Sequence, residues 1–288
     1  MASNPKTLNA NTDHKSNGKV VHNPWSDLRR FTDARIGLGR AGISLPTSEM
    51  LAFQLSHAQA RDAVGFALNI NEMSCRLSDL NPAAPVLHLH SQADDRTTYL
   101  QRPDLGRKLN QSSRTTLASF MAEQKQHTES KYDLAIVVAD GLSSLAVQQN
   151  TQPFISELLE QLGESQQLKL APITLVEQGR VAIGDDIGEL LNAQIVMVLI
   201  GERPGLSSPD SLGLYLTWAP KAGLSDACRN CISNIRPAGL SYEEAARRTV
   251  YLLREAKKLK LTGVNLKDRT QDDVIEHQQP NTNFLIAK

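Results

Sequence analysis

The chain has 288 residues, 40% of them hydrophobic and 22% charged, which is the balance of an ordinary globular protein large enough for a sizeable core. Lys and Arg total 31, as do Asp and Glu, so no global basic field would recruit nucleic acid or a membrane surface, and no uninterrupted apolar run approaches the roughly 20 residues that span a bilayer. Cys75, Cys228 and Cys231 are too few, and odd in number, for a disulfide framework, and the N-terminus has no secretory signal, so a reducing cytoplasm is expected.

In chain order, residues 1–22 are rich in Asn, Lys, Thr and Ser and predict a flexible polar tail. Residues 23–130 predict a mainly helical region. A helix start stands at Pro46-Thr47-Ser48-Glu49, followed by Met50, Leu51, Phe53, Leu55, Ala58 and Val64 at apolar positions. The stretch from Leu77 to Pro103 reads as loop, with a short strand at Val86 to Leu89. A second helix is expected to open at Pro103-Asp104 and run through Leu109, Leu117 and Met121.

Residues 131–288 read as an α/β domain. Continuous apolar runs at Leu134–Ala139, Ala171–Val176 and Ile195–Ile200 suit strands buried on both faces, and Leu212–Trp218 is a further strand. Between them lie a helix capped by Ser143 or Ser144, with Phe154, Ile155, Leu158, Leu159 and Leu162 as its stripe, and another over Ile183 to Asn192. Tyr242 to Leu261 forms a long amphipathic helix. Strands alternating with helices imply a Rossmann-like, doubly wound, mostly parallel sheet, preceded here by the helical N-terminal region.

Ligands of such a sheet bind beyond the carboxyl ends of its strands. That nominates Asp140-Gly141-Leu142-Ser143, Gly179-Arg180-Val181 and the loop Gly201-Glu202-Arg203-Pro204-Gly205. The first lacks both a dinucleotide fingerprint and a hydrolase elbow, and Ser143 reads as a helix cap. Glu202 could accept hydrogen bonds from ligand amides, but spacing alone favours a surface turn with a local ion pair. Cys228-Arg229-Asn230-Cys231 lacks a second ligand pair for zinc and the helix of a redox dithiol, so a thiol packed against ligand or core is preferred. His88 and His90 share one strand face without an apparent third metal ligand, and His57, Arg61 and Asp62 form a polar helix face or a local ion pair.

Several segments, in order, resemble the ethanolamine ammonia-lyase small subunit. They are Ala34-Arg-Ile-Gly-Leu-Gly-Arg-Ala-Gly42, Leu100-Gln-Arg-Pro-Asp-Leu-Gly-Arg107, Val138-Ala-Asp-Gly-Leu-Ser143, Gly179-Arg-Val181, Ile187-Gly-Glu189, Gly201-Glu-Arg-Pro-Gly205 and Cys231-Ile-Ser-Asn-Ile235, the last expected as a loop. The resemblance covers about Asn23 to Asp268. It implies a subunit of an adenosylcobalamin-dependent lyase that converts ethanolamine to acetaldehyde and ammonia by radical elimination. It also implies a large catalytic subunit as partner in a multimer of heterodimers, and no turnover by this chain alone. Carried over position by position, the cobalamin contacts fall on Val181, Glu202 and Cys231, with no catalytic or metal-ligating residue in this chain. No D-x-H-x-x-G motif is present, so the cofactor is expected to keep its own base on cobalt. Met1, Leu8 and Val20 form no apolar stripe of the kind a microcompartment-targeting helix needs, which leaves a microcompartment location open beside the cytoplasm. A self-sufficient nucleotide-binding oxidoreductase and a purely structural subunit are the alternatives.

Overall fold

The computed structural model describes residues 20–80, 85–125, 131–163 and 168–270. The expected polar tail falls almost wholly on residues 1–19, outside the described residues. The chain divides into two compact units, residues 1–58 and 59–288.

In the first unit, a two-residue strand β1 (Val20–Val21) pairs antiparallel with β2 (Arg40–Ala41). A 3₁₀ segment over Pro24–Arg30 starts where the Asn23 side chain accepts from the Trp25 N–H, with Pro at the position that needs no donor. Helix α1 (Thr47–Gly65) then begins where the sequence signals it and runs on past the end of the unit. In its first turn, Glu49 receives the Arg29 guanidinium on both oxygens, at 2.7 and 3.3 Å. Arg35 reaches the Glu49 carbonyl at 3.1 Å, and its guanidinium lies 4.4 Å from the Phe53 ring centre. Among residues 20–58 only Pro46 is buried.

The second unit is a mixed α/β structure on a six-stranded, mostly parallel sheet of order β3-β5-β4-β6-β7-β8. The strands are β3 (Leu87–His90), β4 (Tyr132–Ala139), β5 (Thr174–Glu177), β6 (Ala193–Gly201), β7 (Leu212–Trp218) and β8 (Arg229–Ile235). The pairs from β3 through β6 are parallel, while β7 and β8 run antiparallel to their neighbours. The central strand β4 is apolar on both faces because both are covered. Leu134, Ile136 and Val138 enter one cluster with α2 (Ile70–Ser78), α5 (Ser144–Leu162) and α7 (Tyr242–Leu259). Ala135, Val137 and Ala139 enter another with α4 (Gln111–Lys125) and α6 (Ile183–Leu190). A short helix α3 (Arg96–Gln101), capped by Asp95, precedes α4. Full burial of a side chain such as Phe154 is worth roughly 2–3 kcal/mol, and the continuous apolar runs provide many such side chains.

Three expectations are corrected. The segment at Cys231, expected as a loop, is edge strand β8, held to β7 with Tyr215 opposite Cys231 and Leu214 opposite Ile232. The helix expected from Pro103 starts at Gln111, because Leu105–Arg107 makes a separate 3₁₀ turn and the Leu109 N–H is taken by the Asp186 carboxylate at 3.1 Å. The stretch from Leu77 to Pro103, expected as loop apart from its strand, contains helix α3, which starts where the Asp95 side chain accepts from the Thr98 N–H at 2.7 Å, and the end of α2 also reaches into it, to Ser78.

Candidate functional site

The loops at the carboxyl ends of β4, β5 and β6 form one braced structure. Asp140, at the end of β4, is buried and accepts the N–H groups of Gln178 and Gly179 at 2.9 and 3.0 Å. Its carboxyl is raised from 3.8 to about 6, first by burial, with those hydrogen bonds and the Arg96 guanidinium opposing. Arg96 lies 3.9 Å from that carboxylate and donates to the carbonyls of Gly141 and Leu142 at 2.7 and 3.2 Å. The Tyr99 ring sits between the guanidiniums of Arg96 and Arg180, 4.8 and 4.2 Å from its centre. Its hydroxyl donates to the Gly179 carbonyl at 3.2 Å. The Arg180 N–H in turn donates to the Gly106 carbonyl at 2.7 Å. Three of the segments quoted above, 100–107, 138–143 and 179–181, therefore share one scaffold that fixes the entry to α6.

The glycine that opens the 201–205 segment is explained by backbone contact. Leu142 N–H donates to the Gly201 carbonyl at 2.9 Å. A Cβ on Gly201 would stand 2.0 Å from the Ser143 carbonyl oxygen, closer than any side chain tolerates. Ser143 itself caps α5, accepting from Ala146 N–H at 3.2 Å, and its hydroxyl donates to the Pro209 carbonyl at 2.7 Å.

Period-two alternation sorts β7 and β8. Leu212, Leu214, Leu216 and Ile232 point into the cluster under α5 and α7. Tyr215 packs on the opposite cluster, as does Val181 at the entry to α6. On that side Tyr215 is half-buried, while Cys231 and Ser233 are exposed, so the β7–β8 strip beside α6 is an open floor. Glu202, directly after β6, lies against this floor over Gly213; a Cβ there would meet the Glu202 Cγ and Oε1 at 3.0 Å. One carboxylate oxygen, Oε2, accepts the Ser211 hydroxyl and the Asn234 N–H, the latter at 3.2 Å. The other, Oε1, accepts nothing from the described residues. The local ion pair with Arg203 that spacing favoured does not form: the carboxylate turns to Ser211 and Asn234 instead. The Tyr215 phenol is held above its ordinary range, first by burial, then by the adjacent Cys231 thiol and the Glu202 carboxylate.

The structure thus gathers Glu202 and Cys231 around Tyr215, with Val181 on the same side of the sheet. The sequence reading missed Tyr215; the alternation of β7 would have found it once β8 was known to be its neighbour. It also missed the pair that joins α6 to β8. Arg229 and Asp185, with side chains only 2% and 1% exposed, meet bidentately at 2.6 and 2.8 Å.

The other candidates fall apart from this face. Cys228, just before edge strand β8, has its sulfur against the Ser225 hydroxyl at 3.8 Å, whereas Cys231, on the face, has its sulfur against the Ser233 hydroxyl at 3.3 Å. His88 meets the Ser74 hydroxyl at 2.9 Å and His90 the Ser91 carbonyl at 2.8 Å. No cluster of three or more His, Cys, Asp or Glu suited to a metal occurs among the described residues. His57, Arg61 and Asp62 are each exposed. No helix among the described residues is long and apolar enough to cross a membrane.

Residues 22–267 match the family model described as ethanolamine ammonia-lyase light chain. A protein of Pseudomonas aeruginosa named ethanolamine ammonia-lyase small subunit is 55% identical over 269 residues, 93% of this chain and 96% of its own. Its namesake in Pseudomonas fluorescens is 55% identical over 92% of this chain and 95% of its own, and that of Pseudomonas putida 54% identical over 96% and 99%. The chain belongs to the ethanolamine ammonia-lyase light-chain, or small-subunit, family.

Proposed function

We propose that this chain is the small subunit of an adenosylcobalamin-dependent ethanolamine ammonia-lyase, and that its β7–β8 floor forms one wall of a cobalamin site completed by the large catalytic subunit. The observation that carries the reading is convergence. Val181 before α6, Glu202 after β6 and Cys231 on β8 come from distant segments to one side of the sheet, where Cys231 and Ser233 stay exposed. On this reading the sheet is Rossmann-like and doubly wound, residues 131–288 act as the cobalamin-contacting domain, and the assembly is a multimer of heterodimers.

The residues present fit a flat cofactor edged with amides. Glu202 is fixed through Oε2 and leaves Oε1 as an acceptor for an amide N–H. Tyr215, kept protonated by burial beside a carboxylate, has a phenol to donate. Val181 provides an apolar wall, and Cys231 with Ser233 a small polar surface for close approach. When bound, adenosylcobalamin supplies the radical-generating cobalt–carbon bond. The chain's own residues bind and orient the cofactor and exclude water from its face. None of them needs to move a proton, which accords with a subunit that holds a cofactor while its partner holds the substrate.

The test is co-expression with a large subunit, followed by ammonia release with and without adenosylcobalamin. Activity is expected only with both the partner and the cofactor; full activity of the isolated chain refutes the proposal. In the reconstituted complex, Glu202→Ala is expected to weaken cobalamin binding about tenfold, the loss of roughly one hydrogen bond to a charged acceptor. Unchanged affinity would reduce this face to a structural role.

A further inference from the structure

Strand β8 carries an irregularity that its pairing with β7 does not require. Leu212 stands opposite Ile235 and Leu214 opposite Ile232, so Ser233 and Asn234 together face the single residue Gly213. Asn234 has a φ of 62°, in the left-handed region that few residues other than Gly, Asn and Asp adopt readily. A regular strand would hold β7 without that strain. A bulge beside a site re-aims a group toward it. Here the group is the Asn234 N–H, which donates to Glu202 Oε2 at 3.2 Å.

Asn234 is fixed on its other sides as well. Its carbonyl accepts the Leu240 N–H at 2.7 Å, and its side-chain oxygen accepts the Arg236 Nε–H at 2.9 Å. The same guanidinium reaches the Asp210 carboxylate at 3.3 Å, although the Arg236 side chain is only 10% exposed. Asp210 directly precedes Ser211, whose hydroxyl is the second donor to Glu202 Oε2. The Asp210 carbonyl accepts from the Asn150 amide on α5 at 2.7 Å, and Asn150 in turn accepts the Tyr242 hydroxyl of α7 at 2.7 Å. The two donors that fix Glu202 thus come from separate segments, one before β7 and one on β8. Arg236 joins those segments, and Asn150 ties the junction to two helices.

We infer that Arg236 is a positioning residue for the cobalamin face: by linking Asp210 to Asn234 it keeps both donors on Glu202 Oε2 and so leaves Oε1 free for a ligand amide. This rests on the cofactor reading above. Arg236 touches no ligand and acts only through Glu202. A glutamate released from those donors would spread over its rotamers and have to be ordered again at each binding event, which lowers affinity for the cofactor rather than the rate of turnover.

The experiment uses the complex reconstituted with the large subunit and reads the KM for adenosylcobalamin and the kcat of ammonia release. Arg236→Met is expected to raise that KM about fivefold with kcat unchanged, through the loss of preorganisation. Asn234→Gly keeps the backbone N–H and accepts the left-handed φ, but removes the acceptor for Arg236, and is expected to raise the KM about threefold. In a Glu202→Ala background both substitutions are expected to be silent, because their effect passes through the missing carboxylate. Parental KM in both variants, with that of Glu202→Ala raised, overturns the proposal and leaves the cofactor reading intact. A rise of the same size with and without Glu202 also overturns it, as general loosening of the face. Should Arg236→Met fail to fold, Asn234→Gly decides by the same criteria. A Glu202→Ala complex with parental KM overturns the role of Glu202 in the cofactor reading, and the proposal with it.

Discussion

Replacing Asp185 by Ala would strand the Arg229 guanidinium inside the protein. The pair bridges α6 to β8, and with the side chains 2% and 1% exposed, water cannot take Asp185's place. Removing one partner of a buried pair typically costs 3–5 kcal/mol. Arg229 would keep the Thr217 hydroxyl at 3.2 Å, the Leu224 carbonyl at 3.1 Å and the exposed Asp226 carboxylate at 3.2 Å. The cost should therefore sit at the lower end, about 3 kcal/mol, which lowers the melting temperature by roughly 6–12 °C in a unit of this size. Urea denaturation followed by circular dichroism measures it. The double variant Asp185→Leu, Arg229→Met, which leaves no charge to strand, should return to within about 1 kcal/mol of the parent. A loss below about 1 kcal/mol for Asp185→Ala would refute the claim that the pair is sealed from water; a double variant weaker than the single one would refute the charge-stranding argument.

Two further outcomes follow from the braced loops. Because the Asp140 carboxyl is raised from 3.8 in the unfolded chain to about 6 in the fold, the folded state binds the proton more tightly. The stability this provides is fully present below pH 4 and is lost as pH rises through 6, on the order of 3 kcal/mol. The difference in unfolding free energy between the parent and Asp140→Asn should change across that window and be flat above pH 7; a flat difference throughout would show that Asp140 is solvated. Gly201→Ala should cost about 2–3 kcal/mol through the clash of its Cβ with the Ser143 carbonyl oxygen, and a variant of parental stability in chemical denaturation would mean that the seam between the two loops yields easily.

Most of the sheet could be read from local pattern. Leu134–Ala139 and Ile195–Ile200 are buried on both faces, and such runs have few other uses in a globular chain. Ser143 announced its helix, and its side chain makes the capping bond. Strand β8 could not be read this way. In Arg229-Asn230-Cys231-Ile232-Ser233-Asn234-Ile235 only Arg229, Ile232 and Ile235 are buried, and the strand exists because β7 pairs with it. Its absence from the reading hid the floor, and with it Tyr215. Asp185 and Arg229 stand 44 residues apart, each an ordinary charged residue until the fold joins them. Glu202 was nominated by its place after a strong strand, but its fixed and free oxygens depend on Ser211 and Asn234, which no spacing rule connects to it.

Strand β8 is also the last strand of the sheet to leave the ribosome. Val181 and Glu202 are synthesised before it, and α6 emerges carrying an Asp185 whose counter-charge has not yet been made. Until Arg229 arrives and β8 closes against β7, the nascent chain has the rim of the floor without the floor. A ligand that needs this face as a whole would therefore have to wait until β8 has been made and paired.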